Sequence, residues 1–227
     1  MDPVRFSTSD GVSLEGELRL PDRPPVASAV ICHAHPRHGG SKDHPILWAL
    51  RNELAQRGTA VLAFNFRGTM RSGGSYGGGQ AETKDVEAAI GFVRSRATGP
   101  TIVCGWSFGA TVALREALTD GRVDALALIG MPLVPGLVEV PPIPGPEELR
   151  PFRRPVLLLA GSEDPHCPRP ALEALGRTMP AAEVAILPGT DHFLWRRERE
   201  AAGVVGAFVE RVAGGTEGDL RPGDPPP

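Results

Sequence analysis

Residues 104–114 read "CGWSFGATVAL". A short apolar run, 101–105, leads into them, and an alanine- and leucine-rich helical pattern, 107–118, leads out. The pentapeptide Gly105-Trp106-Ser107-Phe108-Gly109 therefore stands where a buried strand turns into a helix. The glycines at two positions either side of the serine have a steric reason. A serine on a sharp, strained turn needs neighbours without bulk where backbones approach. The turn lifts the hydroxyl above the sheet and sets it at a helix N-terminus, where free N–H groups favour developing negative charge. Serine is also a favoured helix cap, so the pentapeptide gains its meaning from the strand before it and the helix after it.

A serine hydroxyl is a weak nucleophile until a base takes its proton, and that base needs an acid to orient it. Two later loops supply both. "AGSEDPHCP" places Asp164 after an apolar run at 156–160, and "LPGTDHFLW" places His192 after a run at 183–187. Ser107, Asp164 and His192 thus follow one another at the carboxyl ends of successive strands, where sheets of this class hold their ligands. Glu163 adjoins Asp164 but points elsewhere on an exiting strand. Asp191 is expected to fix its own loop, and His166 lies on the Asp164 loop itself.

The wider pattern agrees with a sheet. Nearly continuous apolar runs at 27–32, 60–65, 101–105, 125–129, 156–160 and 183–187 suit strands buried on both faces of a mainly parallel sheet. "VSLEGELRL" (12–20) alternates apolar and polar residues after the Asp10-Gly11 turn signal, so 4–20 reads as a hairpin. Helical patterns fall at 44–57, 81–96, 107–118, 169–179 and 195–212. Strand and helix alternate, which predicts a doubly wound α/β fold of about eight strands with an N-terminal antiparallel hairpin. We expect one domain over 1–213 and a disordered, polar, proline-rich tail over 214–227. The interval 131–154 is proline-rich and too short for a multi-helix cap, so the site should be open, with at most a small flap.

Bulk properties narrow the function classes. The chain has 227 residues, of which 41% are hydrophobic and 22% charged, enough to bury a substantial core. Its net charge of -3 offers no electrostatic reason to expect nucleic acid or an anionic membrane as partner. No apolar run approaches the roughly 20 residues that span a bilayer, and the N-terminus lacks an apolar signal region. A cytoplasmic protein is expected. Cys32, Cys104 and Cys167 are too few and scattered for a disulfide framework, although Cys32 and Cys104 end strands expected to be neighbours.

The stretch "AVICHAHPRHGG" (29–40) holds His33, His35 and His38 at a spacing used by zinc hydrolases. Arg37 stands where such sites carry an acid, and a cation beside a divalent metal is unfavourable. No later loop completes a ligand set. We therefore expect no metal, and keep a zinc-dependent hydrolase using these three histidines as the distant alternative. "GGSYGGG" (73–79) lacks the Lys-Ser/Thr of a phosphate loop and reads as a flexible loop. A non-catalytic binding protein would be expected to lack one of Ser107, Asp164 and His192.

Together "ICHAHPRHGGSKDH", "VLAFNFRGTMRSGGSYGGG", "GWSFGA", "AGSEDP" and "GTDHF" resemble the α/β-hydrolases, in particular the compact bacterial group of dienelactone hydrolase-like proteins and serine esterases. The resemblance spans about residues 4–212. Met70 departs from it where a glycine is common. Dienelactone hydrolases proper use a cysteine nucleophile, and Ser107 stands in its place. The resemblance implies an oxyanion hole from the Phe108 N–H and from the loop after the 27–32 strand. The family's His-Gly-x-Pro falls on His33-Ala34-His35-Pro36, which makes the His35 N–H the second donor, since Pro36 has none. It implies hydrolysis of a carboxylic ester through an acyl-enzyme on Ser107, without a cofactor, on a small acyl substrate. Thioester, lactone and short peptide bonds are open to the same machinery. His33, Trp106 and Arg67 are candidates for the substrate pocket, with His33 also a candidate for fixing its loop. Phe108, like Trp106, either lines an acyl pocket or packs under the turn. A homodimer is compatible with the sequence.

Overall fold

The Asp10-Gly11 turn closes the hairpin in the computed structural model, which describes residues 2–215. Gly11 sits at φ +83°, a conformation that L side chains rarely adopt. It joins β1 (Asp2–Ser7) to β2 (Ser13–Arg19) in antiparallel register, with Phe6 opposite Leu14. The parallel strands follow as β3 (Ala27–Cys32), β4 (Thr59–Phe64), β5 (Thr101–Trp106), β6 (Ala125–Ile129), β7 (Val156–Gly161) and β8 (Ala182–Leu187). Their order across the sheet is β1-β2-β4-β3-β5-β6-β7-β8, and β2 meets β4 antiparallel. This is the expected doubly wound α/β sheet of eight strands with an N-terminal antiparallel hairpin, and the described residues include no large cap.

Alternation of side chains in the pleat divides the core into two layers. Val30, Cys32 and Val103 pack under α2 (Thr83–Arg94), α3 (Phe108–Thr119) and α5 (Arg169–Thr178). Ala29, Ile31, Ile102 and Cys104 pack under α1 (Pro45–Gln56) and α6 (Glu198–Gly215). Cys32 ends β3, whereas Cys104 lies inside neighbouring β5, which runs on to Trp106; the two face opposite layers and stay free thiols. β3 to β7 are buried throughout, whereas the edge strand β8 keeps Glu183 and Val184 exposed.

Most element ends shift by one or two residues from the sequence reading, and the C-terminal helix and the 131–154 interval differ with a local cause. α6 starts at Glu198 rather than 195, because Leu194 and Arg196 adopt left-handed φ values of 54° and 63°. It runs on through Gly215, and the remainder of the expected tail, 216–227, lies outside the described residues. The interval 131–154 contains one short helix, α4 (Pro146–Leu149), with Pro146 in its first turn, where a missing N–H costs nothing. No helix among the described residues is long and apolar enough to cross a membrane.

Candidate active site

The β5–α3 turn shows why the pentapeptide carries its glycines. A Cβ on Gly105 would lie 2.4 Å from the Gly109 carbonyl oxygen, and one on Gly109 would lie 2.4 Å from the Cys32 carbonyl oxygen. Ser107 between them sits at φ 56°, ψ -122°, a strained conformation whose cost is on the order of 1–3 kcal/mol. Its N–H donates to Ile129 O at 2.8 Å, which ties the turn to the end of β6. Its hydroxyl makes no capping bond to α3; it turns to His192.

Ser107 Oγ lies 2.9 Å from His192 Nε2, and His192 Nδ1 lies 2.8 Å from Asp164 Oδ2. The other Asp164 oxygen accepts the backbone N–H groups of His166 and Cys167. A carboxylate can only accept, so His192 donates from Nδ1 and is left with an acceptor lone pair on Nε2 for the serine hydroxyl. The loops after β6, β7 and β8 converge to allow this. Gly130 ends β6 at φ 53°, and a Cβ there would press within 3.2 Å of Asp164 Oδ2. Gly161 gives way to the Thr190 carbonyl, 2.2 Å from where its Cβ would be. The Trp106 indole N–H donates to the His192 carbonyl at 3.2 Å. Glu163 points to solvent, and Asp191 accepts the Phe193 N–H within its own loop.

Hydrogen bonds hold the histidine loop after β3 and engage the imidazoles of His33 and His35. His33 is fully buried, donates from Nδ1 to Ala34 O at 2.6 Å and accepts the Phe66 N–H on Nε2 at 3.0 Å. Burial lowers its pKa to about 4, so it is neutral near pH 7. His35 accepts the Arg37 N–H on Nδ1, and its Nε2 meets the Tyr76 hydroxyl at 3.1 Å. Burial, and then His38 stacked beside it, lower its pKa too. Of the three histidines at metal-ligand spacing, His33 and His35 have their lone pairs engaged, and among the described residues no group of three or more His, Cys, Asp or Glu is arranged to hold a metal. The His35 N–H and the Phe108 N–H, the first of α3, have no hydrogen-bond partner among the described residues.

Two pocket candidates are corrected. Arg67 does not face the cavity at Ser107: its guanidinium binds Asp85 at 2.7 Å and Asp10 at 3.0 Å, clamping the hairpin turn to α2. His33 is sealed behind the loop that it fixes. Both belong to a scaffold around the Asn-Phe-Arg-Gly stretch, in which Asn65 also accepts the Lys42 N–H at 2.8 Å. Met70 takes φ 51° at the surface, so the loop keeps its left-handed turn without the usual glycine. Phe108 packs under the turn against Phe66, Tyr76 and His35.

Ser107 opens on a cavity of about 250 Å³ whose wall includes Trp106, His44, His166, Phe193, Leu137 and Val138. Larger hollows of about 680 and 740 Å³ contain neither Ser107 nor His192. Trp106 alone of the three pocket candidates lines the site. His44 and His166 went unassigned in the sequence, although His44 closes the quoted histidine loop and His166 the Asp164 loop. Leu137 and Val138 carry no sequence signal, because an irregular segment reaches the site only through tertiary packing.

A sequence profile of the α/β-hydrolase domain matches residues 27–211. The chain belongs to the α/β-hydrolases. No curated protein sequence matches this hydrolase. Among solved structures it is similar to a lidless α/β serine hydrolase from Xanthomonas campestris, at 25% identity and a TM-score of 0.78, covering 92% of this chain and 94% of that one. An α/β serine hydrolase homologue from Coxiella burnetii shares its fold, with 23% identity, a TM-score of 0.78 and coverage of 91% and 96%. So does an esterase from Pyrococcus furiosus, with 20% identity, a TM-score of 0.77 and coverage of 92% of both chains.

Proposed function

We propose that this hydrolase cleaves a carboxylic ester of a small acyl substrate through an acyl-enzyme on Ser107. The observation that carries the reading is the unbroken chain from Asp164 through His192 to Ser107, ending at a cavity. His192 Nε2 takes the Ser107 proton as Oγ attacks the acyl carbon. The oxyanion that forms is met by the free N–H groups of His35 and Phe108, each worth on the order of 3 kcal/mol in comparable sites. His192 then protonates the leaving alkoxide, and the acyl group stays on Oγ. Water, deprotonated by His192, attacks the acyl-enzyme and releases the acid. Asp164 holds the imidazole in the tautomer that both steps need and steadies the imidazolium. The steps need only these side chains and water, so the reading includes no cofactor.

A chain-length series of 4-nitrophenyl esters tests the reading. The parent should hydrolyse the short esters, and Ser107→Ala should lose on the order of 10⁵- to 10⁶-fold in kcat/KM. Turnover that survives in Ser107→Ala would remove the proposal.

A further inference from the structure

The glycine-rich stretch 73–79 carries the only tyrosine of the chain, Tyr76. Its place in the fold is closely set. The buried carboxylate of Glu82 accepts the N–H groups of Gly77 and Gly79, both at 2.7 Å. Such a carboxylate is costly to bury unless it is hydrogen-bonded, so the loop and the acid hold one another. Gly79, at φ +84°, leaves no room for a side chain. A Cβ there would lie 2.0 Å from Pro141 Cγ and 3.3 Å from Phe108 Cε2.

Held in this way, the loop brings Tyr76 against both residues whose backbone N–H groups are unpartnered beside Ser107. The Tyr76 ring lies 5.0 Å from that of His35 and 5.9 Å from that of Phe108, and the His35 and Phe108 rings lie 5.0 Å apart. The Tyr76 hydroxyl is 3.1 Å from His35 Nε2. His35 Nδ1 accepts the Arg37 N–H, so the neutral ring carries its proton on Nε2 and donates it to the tyrosine oxygen. The His35 carbonyl accepts the N–H groups of His38 and Gly40, both at 3.0 Å. Ring and carbonyl are thus tied from two sides. The His35 N–H is left without a partner among the described residues, at a cavity that His35 shares with Ser107.

We infer that Tyr76 is a positioning residue of the oxyanion hole, its hydroxyl fixing the His35 ring and through it the aim of the His35 N–H. The glycines of 73–79 then serve to bring a tyrosine in. The role rests on the proposed reaction only for where the oxyanion forms, and is the same whichever acyl bond is cleaved.

Phosphonylation of Ser107 by a fluorophosphonate tests it, because the phosphoryl oxygen of that probe takes the place of the oxyanion and no ester need be a substrate. Full-length parent and Tyr76→Phe, which keeps the ring and loses the hydroxyl, are compared for rate and for final extent of labelling, with thermal melting to confirm folding. The inference expects the second-order rate constant to fall about tenfold, less than the roughly 10²- to 10³-fold cost of deleting a whole donor. The final extent should stay at the parent's. In 4-nitrophenyl acetate hydrolysis kcat should fall by the same factor with KM unchanged, as for an interaction made only in the transition state. His35→Asn keeps an acceptor for the Arg37 N–H but is too short for Tyr76. In that background Tyr76→Phe should change the labelling rate by less than about twofold. A parental rate constant in Tyr76→Phe, including one reached with fewer sites labelled, overturns the inference, as does an undiminished effect of Tyr76→Phe in the His35→Asn background. A labelling rate that depends on Tyr76 in a protein that hydrolyses no ester would sink the proposed function and leave the inference standing.

Discussion

Asp85 and Asp164 are both buried carboxylates, and each anchors a polar network. Asp85 receives the Arg67 backbone N–H and two of its guanidinium nitrogens, and Arg67 spends its remaining donors on Asp10. Asp164 receives two backbone N–H groups on one oxygen and His192 on the other, and His192 ends on Ser107 at a cavity. The first network is closed at both ends and contains a cation that keeps its proton throughout the working pH range. The second runs through an imidazole to a serine hydroxyl, and its far end is open to a cavity. A buried acid held by an arginine fixes the fold; a buried acid held by a histidine that faces a hydroxyl is built for proton transfer.

Removing one member of each network should therefore give opposite results. Asp164→Asn should leave the melting temperature near that of the parent but lower kcat by about 10⁴-fold, because the wrong tautomer of His192 would face Ser107. Arg67→Met should do the reverse. It strands Asp85, whose pKa burial already raises to about 6 despite its donors, and should cost about 3–5 kcal/mol of stability in urea unfolding. The protein that remains folded should keep a kcat close to the parent's. If both variants lost activity alike at full stability, the division between the two networks would fail.

The histidine loop sharpens the same contrast with a smaller effect. His33 is neutral in the folded protein, its pKa lowered to about 4 by burial, whereas in the unfolded chain it titrates near the ordinary histidine value of about 6.5. Between those values the unfolded chain binds more protons. The contribution is therefore fully present above about pH 6.5 and is lost as pH falls toward 4, by on the order of 3 kcal/mol. Stability curves of the parent and His33→Gln across this range should differ in slope, the variant being flatter.

Met70 should give the smallest effect. Glycine at its φ of 51° removes a left-handed penalty of about 1–2 kcal/mol, partly offset by the greater freedom of glycine in the unfolded chain. Met70→Gly should raise the melting temperature slightly and leave activity unaltered.

The sheet and the Ser107 turn were legible in the sequence because each rests on local rules. Continuous apolar runs mark strands buried on both sides, and two glycines mark a strained serine. Strands 27–32 and 125–129 carry the bounds read from the pattern, and Ser107, Asp164 and His192 come together as their strand-end positions suggested. The role of Arg67 was not legible, and that of His33 only as one of two alternatives, a loop-fixing group or a pocket residue. Their partners, Asp10 and Asp85 for one and the Phe66 N–H for the other, are set by how the hairpin, α2 and the β4 loop pack. The cavity was equally hidden, since Leu137 and Val138 come from a segment without periodicity and His44 is set by the start of α1.

We propose Ser107, hydrogen-bonded to His192, as the one activated hydroxyl among the described residues. Incubation with a fluorophosphonate, followed by intact mass and peptide mapping, tests it most directly. A single adduct on Ser107 is expected, formed equally well with chelator present, and no adduct on either Ser107→Ala or native protein heat-unfolded before labelling. Labelling that persists at full rate in Ser107→Ala, or that a chelator abolishes, would contradict it.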